Sequence, residues 1–184
     1  MEHDEVKVKV ETAFLELLKM MPNDVITTAE IIEQAGVSQD EYNLFFTNQR
    51  SIIVSFLHRL HRQIMPELDK ANETGMLLSE ENITQVFAFY GQYHAEYLAM
   101  EASGFSNLIF DETRTIVEEL LQYGDNGLVN QMHLEYITGG MLSVFFSWLR
   151  VINQLTVQEV GHQLYQMVIE NLPDLESTTL PDNK

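Results

Sequence analysis

Residues 26–46 constrain the fold more than any other stretch of the chain. They contain the pattern S/T-x-x-E twice, as Thr27 with Glu30 and as Ser38 with Glu41. In that pattern the hydroxyl caps a backbone N–H of the first turn, and the carboxylate reaches back to the N–H of the capping residue. Each copy therefore marks a helix start. Between the copies lies Ala35-Gly36-Val37. A small residue, a glycine able to take positive φ and an apolar plug end one helix and turn the chain into the next. Two short helices joined in this way predict a helix-turn-helix, whose second member enters the DNA major groove when the motif reads DNA.

The rest of the pattern is helical as well. Val6, Val10, Phe14, Leu17, Leu18 and Met21 form one face of a first helix over residues 4–21, which ends near Pro22-Asn23. A longer helix is predicted over about 48–72, with Pro66 as a point where it bends or divides. Ser79 with Glu80-Glu81 opens a helix to about residue 100. A turn at Ser103-Gly104 leads to a short apolar piece at 105–110, then a helix over 113–123 closed by Gly124-Asp125-Asn126-Gly127. A very apolar helix covers about 129–153, and a third capping box, Thr156 with Glu159, starts a last one that Pro173 stops. The expected architecture is all-α with about nine helices. A three-helix helix-turn-helix head (1–50) precedes a C-terminal helical bundle body (51–173) and a disordered polar tail (174–184).

Composition sets the setting. With no cysteine, disulfides and thiolate metal sites are excluded and a reducing cytoplasm is expected. The acidic start Met1-Glu2-His3-Asp4-Glu5 lacks the features of a signal peptide, and no apolar run is long enough to span a bilayer, so no membrane partner is expected. The net charge of −18 is unevenly spread: residues 1–62 carry −4 and residues 63–184 carry −14. Lys7, Lys9 and Lys19 on the first helix suit either phosphate contact or an ordinary solvated face.

From Gly36 to Ile53 the chain reads G-V-S-Q-D-E-Y-N-L-F-F-T-N-Q-R-S-I-I. It resembles, without a gap, the turn and recognition helix of the TetR family of transcriptional regulators, roughly G-V-S-x-x-x-F-Y-x-x-F-x-x-K-x-x-L-L. The resemblance covers residues 10–60 most clearly and extends more weakly to Tyr136–Leu149. It implies a dimeric, DNA-binding regulator controlled by a small apolar or aromatic ligand, with residues 51–173 as the ligand-binding and dimerisation domain. The DNA-facing positions it implies are Thr27, Thr28, Ser38, Gln39, Asn43, Leu44, Phe45, Gln49 and Arg50. Asn43 and Gln49 stand where the family has a phosphate-binding Tyr and Lys, and Asp40 and Glu41 bring negative charge to the recognition helix.

In the body, Tyr90, Tyr93, His94 and Tyr97, with Phe105, Phe110, Met132 and Tyr136, are candidates for an apolar ligand pocket; the alternative is that they are core. The resemblance places the dimer interface on the last two helices, at Met141, Val144, Phe145, Trp148, Val160, Leu164 and Met167. Two adjacent glycines, Gly139-Gly140, cost a helix about 2 kcal/mol relative to alanines. Close packing in the core or in a dimer interface is the preferred compensation, with room for a ligand as the alternative. His58 and His61 share a helix face but lack a third ligand in sequence, so no metal or other cofactor is expected. No nucleophile elbow, phosphate loop or HExxH motif is present, and an enzyme is not expected. Two readings remain open. One is a regulator that binds operator DNA as a homodimer. The other is a co-regulator of the same fold that acts through protein contacts, including pairing with a related regulator.

Overall fold

The computed structural model describes residues 2–21, 25–121 and 128–171. It is all-helical, with nine α-helices and no strand among those residues: α1 (Glu2–Met20), α2 (Thr28–Ala35), α3 (Gln39–Phe45), α4 (Gln49–Glu73), α5 (Glu80–Gly91), α6 (His94–Ala102), α7 (Ser106–Leu121), α8 (Leu128–Leu149) and α9 (Val157–Asn171). Pro22-Asn23, the turn at 124–127 and the tail at 174–184 lie outside the described residues.

The local signals act as the sequence predicts. Both capping boxes of the head are formed, and Gly36 closes α2 in the left-handed region at φ 63°, its N–H reaching the carbonyls of Ile32 and Glu33. Thr156 caps α9 in the same manner, accepting the Glu159 N–H at 3.2 Å while Glu159 accepts the Thr156 N–H at 2.8 Å. α1 packs on α2, α3, α4 and α6, and α4 continues against α5 and α7. The buried side chains form one continuous cluster from Val10 to Leu164, so head and body share a core.

Three boundaries differ from the sequence reading. The helix expected over 79–100 is two helices, because at Gln92 and Tyr93 the backbone N–H groups bond three residues back rather than four. The six-membered ring of Trp148 presses on Gly91 at that point; a Cβ there would lie 2.5 Å from the indole. The apolar piece at 105–110 is the first part of α7 rather than a separate segment. Pro66 does not divide α4, which runs on to Glu73 with the proline ring exposed.

Within the chain, Gly139-Gly140 is not a site of close core packing. A Cβ on Gly140 would meet nothing within 4 Å, and one on Gly139 would make only an ordinary contact with Phe110 at 3.8 Å. Tight packing uses other glycines. Gly161 lets α9 lie against α5, where a Cβ would collide with Thr84 Oγ1.

Candidate functional site

The head is built from its caps outward. Thr27 and Ser38 each accept an N–H from the third residue of their helix at 3.2 Å and donate the hydroxyl to the same glutamate at 2.7 Å. Bonds from the backbone N–H and hydroxyl of the capping residue hold Glu30 and Glu41 below the usual carboxylate pKa, so both stay ionised. Ser38 and Thr27 thus use their hydroxyls in the fold.

Around α3, Gln39, Asp40 and Asn43 are exposed, and the Gln39 amide donates to Asn43 Oδ1 at 2.9 Å. Thr28 is exposed and Leu44 is 64% exposed. Phe45 is half-buried, edge-on to Phe46, with the Lys7 ammonium 5.1 Å above its ring. Gln49 is half-buried and donates its amide to the Ile26 carbonyl. Arg50 is exposed and pairs with no carboxylate among the described residues.

Two of the three lysines of α1 are paired with carboxylates. Lys9 pairs with Glu5 at 2.9 Å, and Lys19 bridges Glu16 at 2.7 Å and Glu96 at 2.8 Å. Those bonds, to Glu16 first and then Glu96, raise the Lys19 pKa. Residues 27–46 contain four carboxylates and no Lys or Arg, so the helix-turn-helix itself is acidic.

The body contains an apolar pocket of about 130 Å³, partly open to solvent, among α4, α5, α6, α7 and α8. Of the eight residues expected to line it, Tyr90 and Tyr97 do. The others are elsewhere. Tyr93 packs edge-on to Phe56 at 5.8 Å, Phe105 edge-on to Phe14 at 6.3 Å, and Phe110 lies by Gly139. His94 is exposed, and Met132 and Tyr136 face outward from α8, 69% and 59% exposed. Helical spacing groups residues by face but not by which face meets the interior.

The sequence reading missed His61 and Asn82 as cavity residues. His61 is 8% exposed, its ring lies edge-on to Tyr90, and its Nδ1 has no hydrogen-bond partner. Burial, aided by the neighbouring His58, pushes its pKa down to about 4, so the imidazole is neutral at neutral pH. Burial likewise raises the pKa values of Tyr90 and Tyr97. Asn82 donates its amide to the Leu77 carbonyl at 2.7 Å. The available signal for His61 was its place on the inward face of α4, beside Leu57, Leu60 and Ile64. His58, one turn away, points to solvent and meets Glu112 at 2.7 Å. Among the described residues, no group of three or more His, Asp or Glu is placed to hold a metal ion.

The expected interface residues are mostly internal. Phe145, Trp148, Val160 and Leu164 are buried within one protomer, and Met141 lines the cavity, so these five do not form an outer seam. Val144 is half-buried and Met167 is exposed. The open face of α8 instead carries Met132, Tyr136, Gly140, Ser143 and Ser147, at steps of three and four residues. A larger groove between α1 and α2, about 550 Å³, is open to solvent and walled partly by Asp4, Glu5 and Glu16. It has the character of surface relief.

No protein-family model matches the chain, and no curated protein matches it. Among the described residues, no helix is long and apolar enough to cross a membrane.

Proposed function

We propose that the chain is a TetR-like transcriptional regulator in which occupancy of the body cavity controls how the helix-turn-helix heads of a dimer engage operator DNA. The observation that carries this reading is the course of α4. One unbroken helix starts at Gln49 and Arg50, beside the recognition helix, and reaches the cavity wall at His61 and Leu68. Movement of that wall is delivered to the head through the same helix, as a shift between two arrangements with different DNA affinity. The open face of α8 is the natural dimer seam, since Gly140, Ser143 and Ser147 permit close approach.

Fluorescence anisotropy of the purified protein with its own upstream DNA, from low to physiological salt, tests the reading. Sequence-dependent binding with a steep salt dependence is the expected result. A folded dimer that fails to bind at low salt would overturn it.

A second reading has its own support in the acidic helix-turn-helix and the exposed Leu44. An acidic face with an apolar knob suits a basic protein surface better than phosphate. On this reading the chain is a co-regulator that works through protein contacts. Capture of a related regulator by the wild type but not by Leu44→Asp, without DNA binding by either, distinguishes it from the first.

A further inference from the structure

We propose that the pocket between α4, α5, α7 and α8 takes an uncharged molecule with an unbranched aliphatic chain, which lies along the pocket and is held by apolar burial without a hydrogen bond to the wall. The inference rests on reading the body as the sensory part of the protein and names the class of molecule that this part senses.

Shape follows from the spacing of the lining residues. His61 and Leu68 on α4 are seven residues apart, as are Thr113 and Leu120 on α7, so each pair spans about 10 Å at the α-helical rise. The pocket therefore extends along two neighbouring helices. A fully extended chain advances about 1.2 Å per bond, so about eight carbons run that length. Because the pocket is partly open, a longer molecule emerges into solvent rather than being excluded.

The lining decides the chemistry. It includes no Lys, Arg, Asp or Glu, and eleven of its eighteen residues are Leu, Ile, Val or Met. His61 Nδ1 is sealed off by its neighbours, and the Asn82 amide donates to the Leu77 carbonyl at 2.7 Å. Burial keeps Tyr90 and Tyr97 un-ionised. An ion in this space finds no counter-charge, and a peptide segment, with a donor and an acceptor on each residue, leaves most of them unpaired. A hydrocarbon has no such group to satisfy.

The aromatic residues of the wall already pair with one another. Phe87 meets Phe145 edge-to-face at 5.5 Å, Tyr97 meets Phe145 at 5.2 Å, and Tyr90 meets Tyr97 at 6.2 Å. The less covered part of the wall is aliphatic. Leu77, Leu78, Val86, Ile116, Val117 and Leu120 are half-buried and stand outside the core cluster. A chain lying between α5 and α7 takes their apolar surface out of water. The head group of that chain stays at the open part of the pocket. Residues 63–184 carry −14, which disfavours an anionic head there.

The full-length protein, without DNA, is titrated by calorimetry with 1-butanol, 1-hexanol, 1-octanol, 1,6-hexanediol and octanoate. Trp148, the single tryptophan, is a second reporter, 5.9 Å from Phe87 of the wall. Affinity is expected to rise about fourfold for each added CH₂ from butanol to octanol. 1,6-Hexanediol, which buries a second hydroxyl without a partner, should bind about tenfold weaker than 1-hexanol. Octanoate should bind about tenfold weaker than octanol. Val117→Asp puts a carboxylate in the wall and should abolish octanol binding. If that variant does not fold, the valine methyl resonances of the wild type locate the site. Those of Val86 and Val117 should shift on adding octanol, while that of Val25, 90% exposed, should not. An affinity independent of chain length, hexanediol equal to hexanol, octanoate equal to octanol, octanol binding by a folded Val117→Asp, unmoved Val86 and Val117 resonances, or no saturable binding of octanol each overturns the proposal. DNA binding without octanol binding removes the ligand class and leaves the regulator; octanol binding without DNA binding does the reverse.

Discussion

The Glu11 carboxylate, 1% exposed, accepts the Arg59 Nε–H at 2.7 Å. Its other oxygen accepts the Ser55 hydroxyl at 2.7 Å. This ion pair, buried on its Glu11 side, fastens α1 to the middle of α4, between α3 and the pocket wall at His61. Arg59→Ala leaves the carboxylate buried without its charge partner and is expected to cost about 3–5 kcal/mol in urea unfolding. Replacing both, as Glu11→Leu with Arg59→Leu, should recover most of that stability. A single variant within 1 kcal/mol of the wild type, roughly the value of a surface pair, would refute the role given to this ion pair.

Two glycines should respond in opposite directions to the same change. Gly91→Ala drives a Cβ into the Trp148 ring, which is also pinned by its Nε1–H bond to the Leu155 carbonyl at 3.0 Å. A destabilisation of roughly 1–3 kcal/mol is expected. Gly140→Ala meets nothing within 4 Å inside the chain, so the isolated chain should gain about 1 kcal/mol from helix propensity, whereas a dimer paired along the open face of α8 should be weakened. Thermal unfolding beside light scattering checks both, and a less stable Gly140→Ala of lower mass would show that a second chain covers this face.

His61 gives the protein a specific sensitivity to acid. Its pKa is 6.5 in an unfolded chain and about 4 in the fold, so between those values the unfolded state binds more protons. Stability therefore declines as pH falls from about 6.5 towards 4, by on the order of 3 kcal/mol in total. The capping Glu30, Glu41 and Glu159 have pKa values lowered from 4.5, and the stability they add disappears only as pH falls below that. Urea titrations between pH 7 and 5 should show a shallower decline for His61→Leu than for the wild type. Parallel curves would exclude His61 as the source.

On the DNA-reading interpretation, Arg50 is the exposed cation beside the recognition helix, and Arg50→Glu should weaken binding to every sequence tested. With one fewer phosphate neutralised by each head, the salt slope of a dimer should fall by about 2. An unchanged slope in the anisotropy titration would mean that Arg50 does not touch phosphate.

Much of the fold was legible because its signals are local. Thr27, Glu30, Gly36, Ser38, Glu41, Thr156 and Glu159 fix helix starts and a turn through bonds within three or four residues. The site was less legible. α8 is apolar on nearly all sides, so its pattern gave no inward face, and Phe145 and Trp148 were assigned to a seam when they belong to the core. Equally, no local cue separates Gly91 and Gly161, which admit Trp148 and Thr84, from Gly139 and Gly140, which have no such close neighbour within the chain.

Caps, turns and charge are properties of neighbouring residues, so the order of amino acids was enough to set an all-helical chain, the helix-turn-helix and its acidic character. Three other features came from the packed chain. Lys9 and Lys19 are paired with glutamates, α5 breaks from α6, and a neutral His61, with one nitrogen buried and unpartnered, lines an apolar pocket. Each depends on which distant side chains arrive at the same place, and burial then sets their charge and hydrogen bonding.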